Sequence, residues 1–351
     1  MLKVLFICST NPTDSTIFHR IEPISESFRR VYGITSNIVF INDFLRCILE
    51  IPKYDVLIFS RYKSKFLVAF KFFVLIFIAR IFNKIVLIDI DDLLLYALPK
   101  SRNIFAKSLS YVGNFILTIV AGKLSHAFVV CSPFSKKIYE LYNSRVVLIP
   151  TPHICGHGDR VVASGTSSRP IIGWIAGHPE EILQLKDVFV RLAYEQLQFQ
   201  LFLVHAGNKK IEYEFKQLPI NVYFGPSIWL QPSEICKIMR KIDIFIYPLP
   251  NYLWYYGKCS ARLIDAMSLG KACIASKVGA NVVVIRNGYN GFLANDINEW
   301  YIKLRILITN SAIRQKFSEN AIVVSKKYCP DEVARSYLNL ILKIMKSNRN
   351  A

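Results

Sequence analysis

Lys258, Arg262 and Asp265 are the residues of this chain whose types and spacing point most directly to chemistry. They lie in Gly257-Lys-Cys-Ser-Ala-Arg-Leu-Ile-Asp-Ala-Met-Ser-Leu-Gly270, which continues into Lys-Ala-Cys-Ile-Ala-Ser-Lys-Val-Gly279. The stretch reads as a loop, a short helix, a glycine stop, a buried strand and a second glycine turn. Gly270 suits a left-handed C-terminal cap. Residues 272–275 form the short apolar run expected of a strand covered on both faces. With Lys258 at the start of the helix, steps of four and three residues put the three polar groups on one face. Orphan N–H groups at a helix N-terminus, joined by a lysine and an arginine, make a site for anions, phosphates above all. The carboxylate one turn further on accepts hydrogen bonds from hydroxyls such as those of a ribose. The plainer alternative is an amphipathic surface helix with solvated charges.

The surroundings favour the ligand site. Upstream, Ile242-Asp-Ile-Phe-Ile-Tyr-Pro-Leu-Pro250 is an apolar strand stopped by two prolines. Tyr252, Trp254, Tyr255 and Tyr256 then crowd the loop before Gly257. Downstream, Asn287-Gly-Tyr-Asn-Gly-Phe-Leu293 is a turn, followed by Glu299-Trp300. Ligands of open α/β sheets bind beyond the carboxyl ends of the strands, where such loops lie.

From Asp243 to about Tyr328 the chain resembles the donor-binding half of retaining glycosyltransferases of the GT-B fold, the large "glycosyl transferases group 1" family. GKCSARLIDAMSLGKACIASKVGAN is similar to that family's G-K-x-x-x-K-L-x-E-x-M-A-x-G-x-P-V-V-A-S-x-V-G pattern, and IRNGYNGFLANDINEW to its I-x-x-G-x-N-G-x-L and glutamate-tryptophan pair. IIGWIAGHPEE, from Ile171, resembles the first strand and turn of the same domain. IVLIDIDDLLLY and AFVVCSPFSKKIYELYNSRVVLIPTP resemble late strands of the acceptor domain. Two departures stand out. Many members have E-x7-E where this chain has Gly257 and Asp265, so the usual acceptor for sugar hydroxyls is missing and another group must orient the sugar. In Lys271-Ala-Cys, Ala272 stands where the family usually has proline.

The resemblance implies an α/β protein of GT-B type, with two Rossmann-like doubly wound domains facing across a cleft. Residues 1–152 are expected to take the acceptor, 153–169 to link, 170–330 to bind a nucleotide-sugar, and 331–351 to form a helix returning to the first domain. The implied activity is transfer of a sugar, with retention, from a UDP- or GDP-sugar to a glycan or lipid-linked acceptor, in surface polysaccharide or lipopolysaccharide synthesis. Lys258 and Arg262, with His19 and Asp91 from the first domain, are the expected catalytic residues. Gly177, His178, Pro248, Tyr256, Gly257, Cys259, Ser260 and Asp265 are expected on the donor, and Thr10, Arg20 and Asp92 on the acceptor side. No cofactor or essential metal ion is expected. Other readings are a non-catalytic, membrane-associated sugar-nucleotide binder, a nucleotide-sugar epimerase, and a metal-dependent transferase using Asp89 and Asp91, which resemble a DxD element.

The wider sequence agrees with two α/β domains. A chain of 351 residues exceeds one ordinary core. Apolar strand-like runs at 3–9, 36–40, 54–60, 84–88, 127–131 and 146–149 alternate with helical stretches. A second series follows at 171–175, 200–205, 221–224, 242–247, 272–275 and 291–293. Pro150-Thr-Pro152 and the Gly/Ser-rich stretch after it separate the two. Eight scattered cysteines without a CxxC pair read as the usage of a reducing cytoplasm rather than a disulfide framework. His153, Cys155 and His157 lack a matching second cluster for zinc. The net charge of +19 calls for an anionic partner. With no nucleic-acid motif in view, phosphorylated substrates and an acidic membrane remain. The apolar stretches 66–80 and 104–122 carry flanking basic residues. Lys71 and Arg80 interrupt the first, well short of the ~20 residues of a span, so an edge in a membrane interface competes with a place in the core. A cytoplasmic location, peripheral on the inner face of the membrane, is the expectation.

Overall fold

The computed structural model describes residues 1–9, 12, 14–60, 66–93, 104–156, 167–205, 207–226 and 231–349. It divides into two units. The first contains Met1–Pro152, Tyr252–Cys259 and Pro330–Ala351, and the second His153–Asn251 and Ser260–Cys329. A partition into uninterrupted blocks does not include this exchange of residues 252–259.

In the first unit, β1 (Lys3–Cys8), β2 (Thr35–Phe40), β3 (Val56–Ser60), β4 (Ile85–Ile90), β5 (Ala127–Val130) and β6 (Val146–Leu148) form one sheet ordered β2-β1-β3-β4-β5-β6. Every pairing is parallel. Parallel strands need crossovers, and helices supply them on both faces. β1, β3, β4 and β5 are therefore apolar nearly throughout and buried. The helix Phe66–Ile81 turns Phe72, Leu75, Ile76 and Ala79 to one face of the sheet, at the i, i+3, i+4, i+7 spacing of a helical stripe. The Pro330–Arg349 helix covers the other face with Tyr337, Ile341 and Ile344, beside Phe28 and Ile24 of the Glu22–Arg30 helix.

In the second unit, β7 (Ile171–Ile175), β8 (Gln200–Val204), β9 (Asn221–Phe224), β10 (Ile244–Tyr247), β11 (Ala272–Ser276) and β12 (Phe292–Ala294) form a parallel sheet ordered β12-β11-β10-β7-β8-β9. The order reverses between β7 and β10. That is the switch point at which the loops leaving neighbouring strands part and open a crevice. Gly173 allows β7 to lie against the segment before β10: a Cβ there would stand 2.1 Å from Ile242 Cδ1.

The cysteines require a correction. Cys155 and Cys236 form a disulfide, with Cα atoms 5.6 Å apart; the other six are free. They are 81 residues apart in sequence, so no local spacing announces them. Among the described residues, no helix is long and apolar enough to cross a membrane.

Candidate active site

After the second unit's β10 come a one-turn helix, Leu253–Tyr256, and then the helix Ala261–Ser268, so Lys258 precedes the latter rather than sitting on it. Ser260 adopts a left-handed backbone (φ 58°) and ends the approach of the loop. This corrects the expectation of one shared face: the left-handed residue between Lys258 and Arg262 breaks the helical phase. Ser260 does not cap the helix with its side chain. Its hydroxyl instead donates to Asn281 Oδ1 at 2.6 Å, and Asn281 donates to the Ser276 carbonyl at the end of β11. The first intrahelical bond is Ile264 N–H to Ser260 O. The amides of residues 261–263 therefore stand at the N-terminus without that cap, the arrangement that favours an anion.

Asp265, the expected acceptor for ribose hydroxyls, faces the other way. It is fully buried. Its Oδ1 accepts from the Ile154 amide at 2.9 Å and its Oδ2 from Arg262 Nη1 at 3.3 Å. Ser268 Oγ donates to the Cys155 carbonyl. Residues 154–155 are thus strapped onto this helix, and the Cys155–Cys236 disulfide ties the same strap to the helix Pro232–Arg240. Burial pushes the Asp265 carboxyl up to about 6, against the pull of Arg262 and the Ile154 amide. An acid whose folded pKa lies above its unfolded value contributes stability that is complete below the unfolded pKa, ~3.9, and is lost as pH rises through the folded one. Asp265→Asn is accordingly expected to flatten the fall of stability between about pH 4 and pH 6, a span worth on the order of 3 kcal/mol. Denaturant midpoints of both proteins across that range check this.

The segment Tyr252–Cys259 carries Lys258 within the first unit. The Lys258 ammonium lies 3.9 Å from the centroid of the Trp254 ring and 3.8 Å from Asp92 Oδ1. The ammonium is thus held between an indole face and a carboxylate. Tyr256 packs its ring 5.3 Å from that of Phe134. Gly257 rests on Leu93: a Cβ at 257 would fall 2.1 Å from Leu93 Cβ and 2.7 Å from its backbone nitrogen. Leu93 is itself fully buried in the core. The space a glutamate would need at 257 is thus occupied, and the carboxylate beside Lys258 comes from Asp92. Neither Leu93 nor the stacking partner Trp254 was assigned a role from sequence; the aromatic crowding before Gly257 was the only signal.

The remaining expected residues fall into two groups. Gly177 and His178 follow β7 and Pro248 follows β10, on the two sides of the switch point. Gln184 joins these loops by donating to the Pro248 carbonyl at 2.9 Å. His178 Nδ1 is 3.7 Å from Glu180, with both side chains partly exposed. Cys259 is half-buried. In the first unit, His19 and Asp91 are buried, and Asp91 accepts from Thr16 Oγ1 at 2.8 Å. Thr10 lies outside the described residues.

Arg20 requires correction. It is buried and grips both oxygens of Asp89 at 2.8–3.1 Å, and it also donates to Thr151, to the Ile149 carbonyl and to Tyr337. It is internal framework rather than acceptor surface. Both Asp89 oxygens accept from Arg20, whereas Asp91 accepts from Thr16. Lys271, next to the Ala272 that replaces the proline, donates from its ammonium to the Arg240 carbonyl at 3.1 Å, at the carboxyl end of a helix where cations are favoured.

Residues 169–310 match the profile of the family Glycosyl transferases group 1. The match takes in most of the second unit. An uncharacterized glycosyltransferase of Methanocaldococcus jannaschii is 31% identical over 98 residues, covering 27% of this chain and 26% of that protein. The N,N'-diacetylbacillosaminyl-diphospho-undecaprenol alpha-1,3-N-acetylgalactosaminyltransferase of Campylobacter jejuni is 27% identical over 120 residues, 33% of this chain and 30% of the relative. The matches therefore span about a quarter to a third of the curated relatives. Across the whole chain, the structure of Anabaena HepE in complex with UDP and glucose superimposes with a TM-score of 0.67 at 13% identity, covering 98% of this chain and 100% of HepE. The fold is GT-B, with two Rossmann-like units, and the stretch that matches the family profile carries the uncapped helix.

Proposed function

We propose that the protein transfers a sugar from a nucleotide-sugar to a glycan or lipid-linked acceptor, with retention and without an essential metal ion. The observation that carries this reading is the uncapped N-terminus of the Ala261–Ser268 helix, with Arg262 in its first turn and Lys258 three residues before it. The amides and the two cations hold the diphosphate. As the bond from the anomeric carbon to the phosphate oxygen breaks, negative charge grows on the departing diphosphate. Groups already fixed around it stabilise that state more than the ground state. Asp92, next to Lys258, accepts hydrogen bonds from the sugar hydroxyls in place of a glutamate at 257. His178 and Pro248 line the donor side at the switch point.

UDP is the favoured nucleotide, because the fold matches a protein seen with UDP and glucose. A lipid-linked acceptor is favoured because the Campylobacter jejuni relative is named for an undecaprenol-diphosphate substrate. On this reading the work is surface-glycan synthesis at an anionic membrane, on its cytoplasmic face.

Incubation with UDP- and GDP-sugars, with and without a polyprenyl-diphosphate saccharide and with EDTA, tests the reading. Nucleotide release that requires the acceptor and persists in EDTA is expected. Conversion of the donor sugar without acceptor establishes an epimerase instead, and donor binding with no turnover a non-catalytic binder.

A further inference from the structure

We propose that the outer faces of the helices Phe66–Ile81 and Ile104–Leu124 form a docking surface for an anionic lipid bilayer. This rests on the reading above and deepens it by naming the surface that meets the membrane. The inner stripe of the first helix, Phe72, Leu75, Ile76 and Ala79, already fills the core. Its outward positions are nevertheless apolar: Phe70, Phe73 and Phe77 recur at helical spacing and remain exposed. On the second helix Phe115 and Ile116 are exposed as well, and these five side chains are each 38–55% accessible. The two helices meet along a shallow apolar groove lined by Phe70, Phe73, Gly113, Ile116 and Val120, about 170 Å³ in volume. A water-facing helix carries polar residues in those places; contiguous exposed aromatic and aliphatic groups mark an interaction surface.

Charge decides the occupant. From position 56 to 139 the sequence has twelve lysines and arginines against three aspartates, Asp89, Asp91 and Asp92. Asp89 is consumed by Arg20, Asp91 is bonded to Thr16, and Asp92 stands beside Lys258. Neither helix contains an acidic residue, and Arg80 and Lys123 near their carboxyl ends are exposed. Apolar side chains flanked by unopposed cations match the boundary between acyl chains and anionic headgroups. With no described helix both long and apolar enough to cross, the contact is one of lying on the surface.

Sedimentation of the full chain with vesicles tests this without turnover, so its outcome is independent of whether the chain transfers sugar. Binding to phosphatidylglycerol-containing vesicles, weak binding to phosphatidylcholine alone, and release as salt rises to about 0.5 M are expected. The variant Phe70→Ser/Phe77→Ser/Phe115→Ser changes exposed positions only. It is expected to weaken vesicle binding on the order of tenfold or more while UDP still raises its melting temperature as in the wild type. Equal binding to neutral and anionic vesicles, or undiminished binding by the triple variant, overturns the proposal. So does a lipid-free dimer that the triple variant converts to monomer, since the face then serves a second copy.

Discussion

Lys258→Ala is expected to lower kcat/KM for sugar transfer on the order of 100-fold or more, the loss seen when one preorganised group is removed from a developing negative charge. The fold should survive. The Lys258 side chain contacts Trp254 and Asp92, and none of the three belongs to a hydrophobic core cluster. Arg262 makes a poorer test, although it lies in the first turn of the same helix. It is the partner of buried Asp265, and it lowers that carboxyl's pKa. Its removal therefore costs stability together with any loss of activity. Asp92→Asn separates two roles at the same spot. If Asp92 orients the sugar, UDP binding stays at the wild-type level while transfer falls. If Asp92 serves only as the resting counter-ion of Lys258, the neutral variant frees the ammonium, and UDP binds more tightly with transfer intact. Calorimetric titration with UDP, alongside initial rates, distinguishes the outcomes. Near-wild-type turnover of Lys258→Ala removes the basis for the phosphate-gripping role.

The sheets were legible because strands buried on both faces are written as short apolar runs with punctuation at each end. KVLFIC, IVLIDI and ACIAS are found in this way, and the twelve strands among the described residues fall within a few residues of their expected places. The helix after Gly257 was legible for a similar reason: Gly270 takes the positive φ expected of its stop. What escaped depends on partners far away in sequence. Arg20 is 69 residues from Asp89, and no local pattern distinguishes a buried arginine from one waiting for a substrate. Asp265 kept its expected place on the helix, but the strap from Ile154 that covers it lies 111 residues upstream. Ser260 is a different failure. A non-glycine residue with positive φ is uncommon, so the run from Lys258 to Asp265 read as one helix when it is a loop and a helix. Gly257 is the instructive departure. It looked like the loss of a functional glutamate, whereas the backbone of Leu93 fills the space that side chain needs.

Arg20→Met is expected to destabilise the first unit by about 3–5 kcal/mol, the cost of leaving a buried charge without its partner. The guanidinium is 1% exposed and reaches three parts of that unit. Asp89 lies on β4, Ile149 and Thr151 follow β6, and Tyr337 lies on the Pro330–Arg349 helix. Methionine keeps much of the stem volume but supplies none of these donors, so the Asp89 carboxylate is left buried and unbalanced. Asp89→Asn in the same background removes that charge and should recover part of the loss, with the coupling read from a double-mutant cycle. Urea unfolding followed by the aromatic signals of the first unit gives the four stabilities. An acceptor-contacting arginine behaves in the opposite way: its replacement leaves the unfolding midpoint unchanged and raises KM for the acceptor. A wild-type midpoint with impaired transfer therefore returns Arg20 to the acceptor side. A lowered midpoint, with UDP binding retained in the folded fraction, fixes it as the tie between the sheet and the terminal helix.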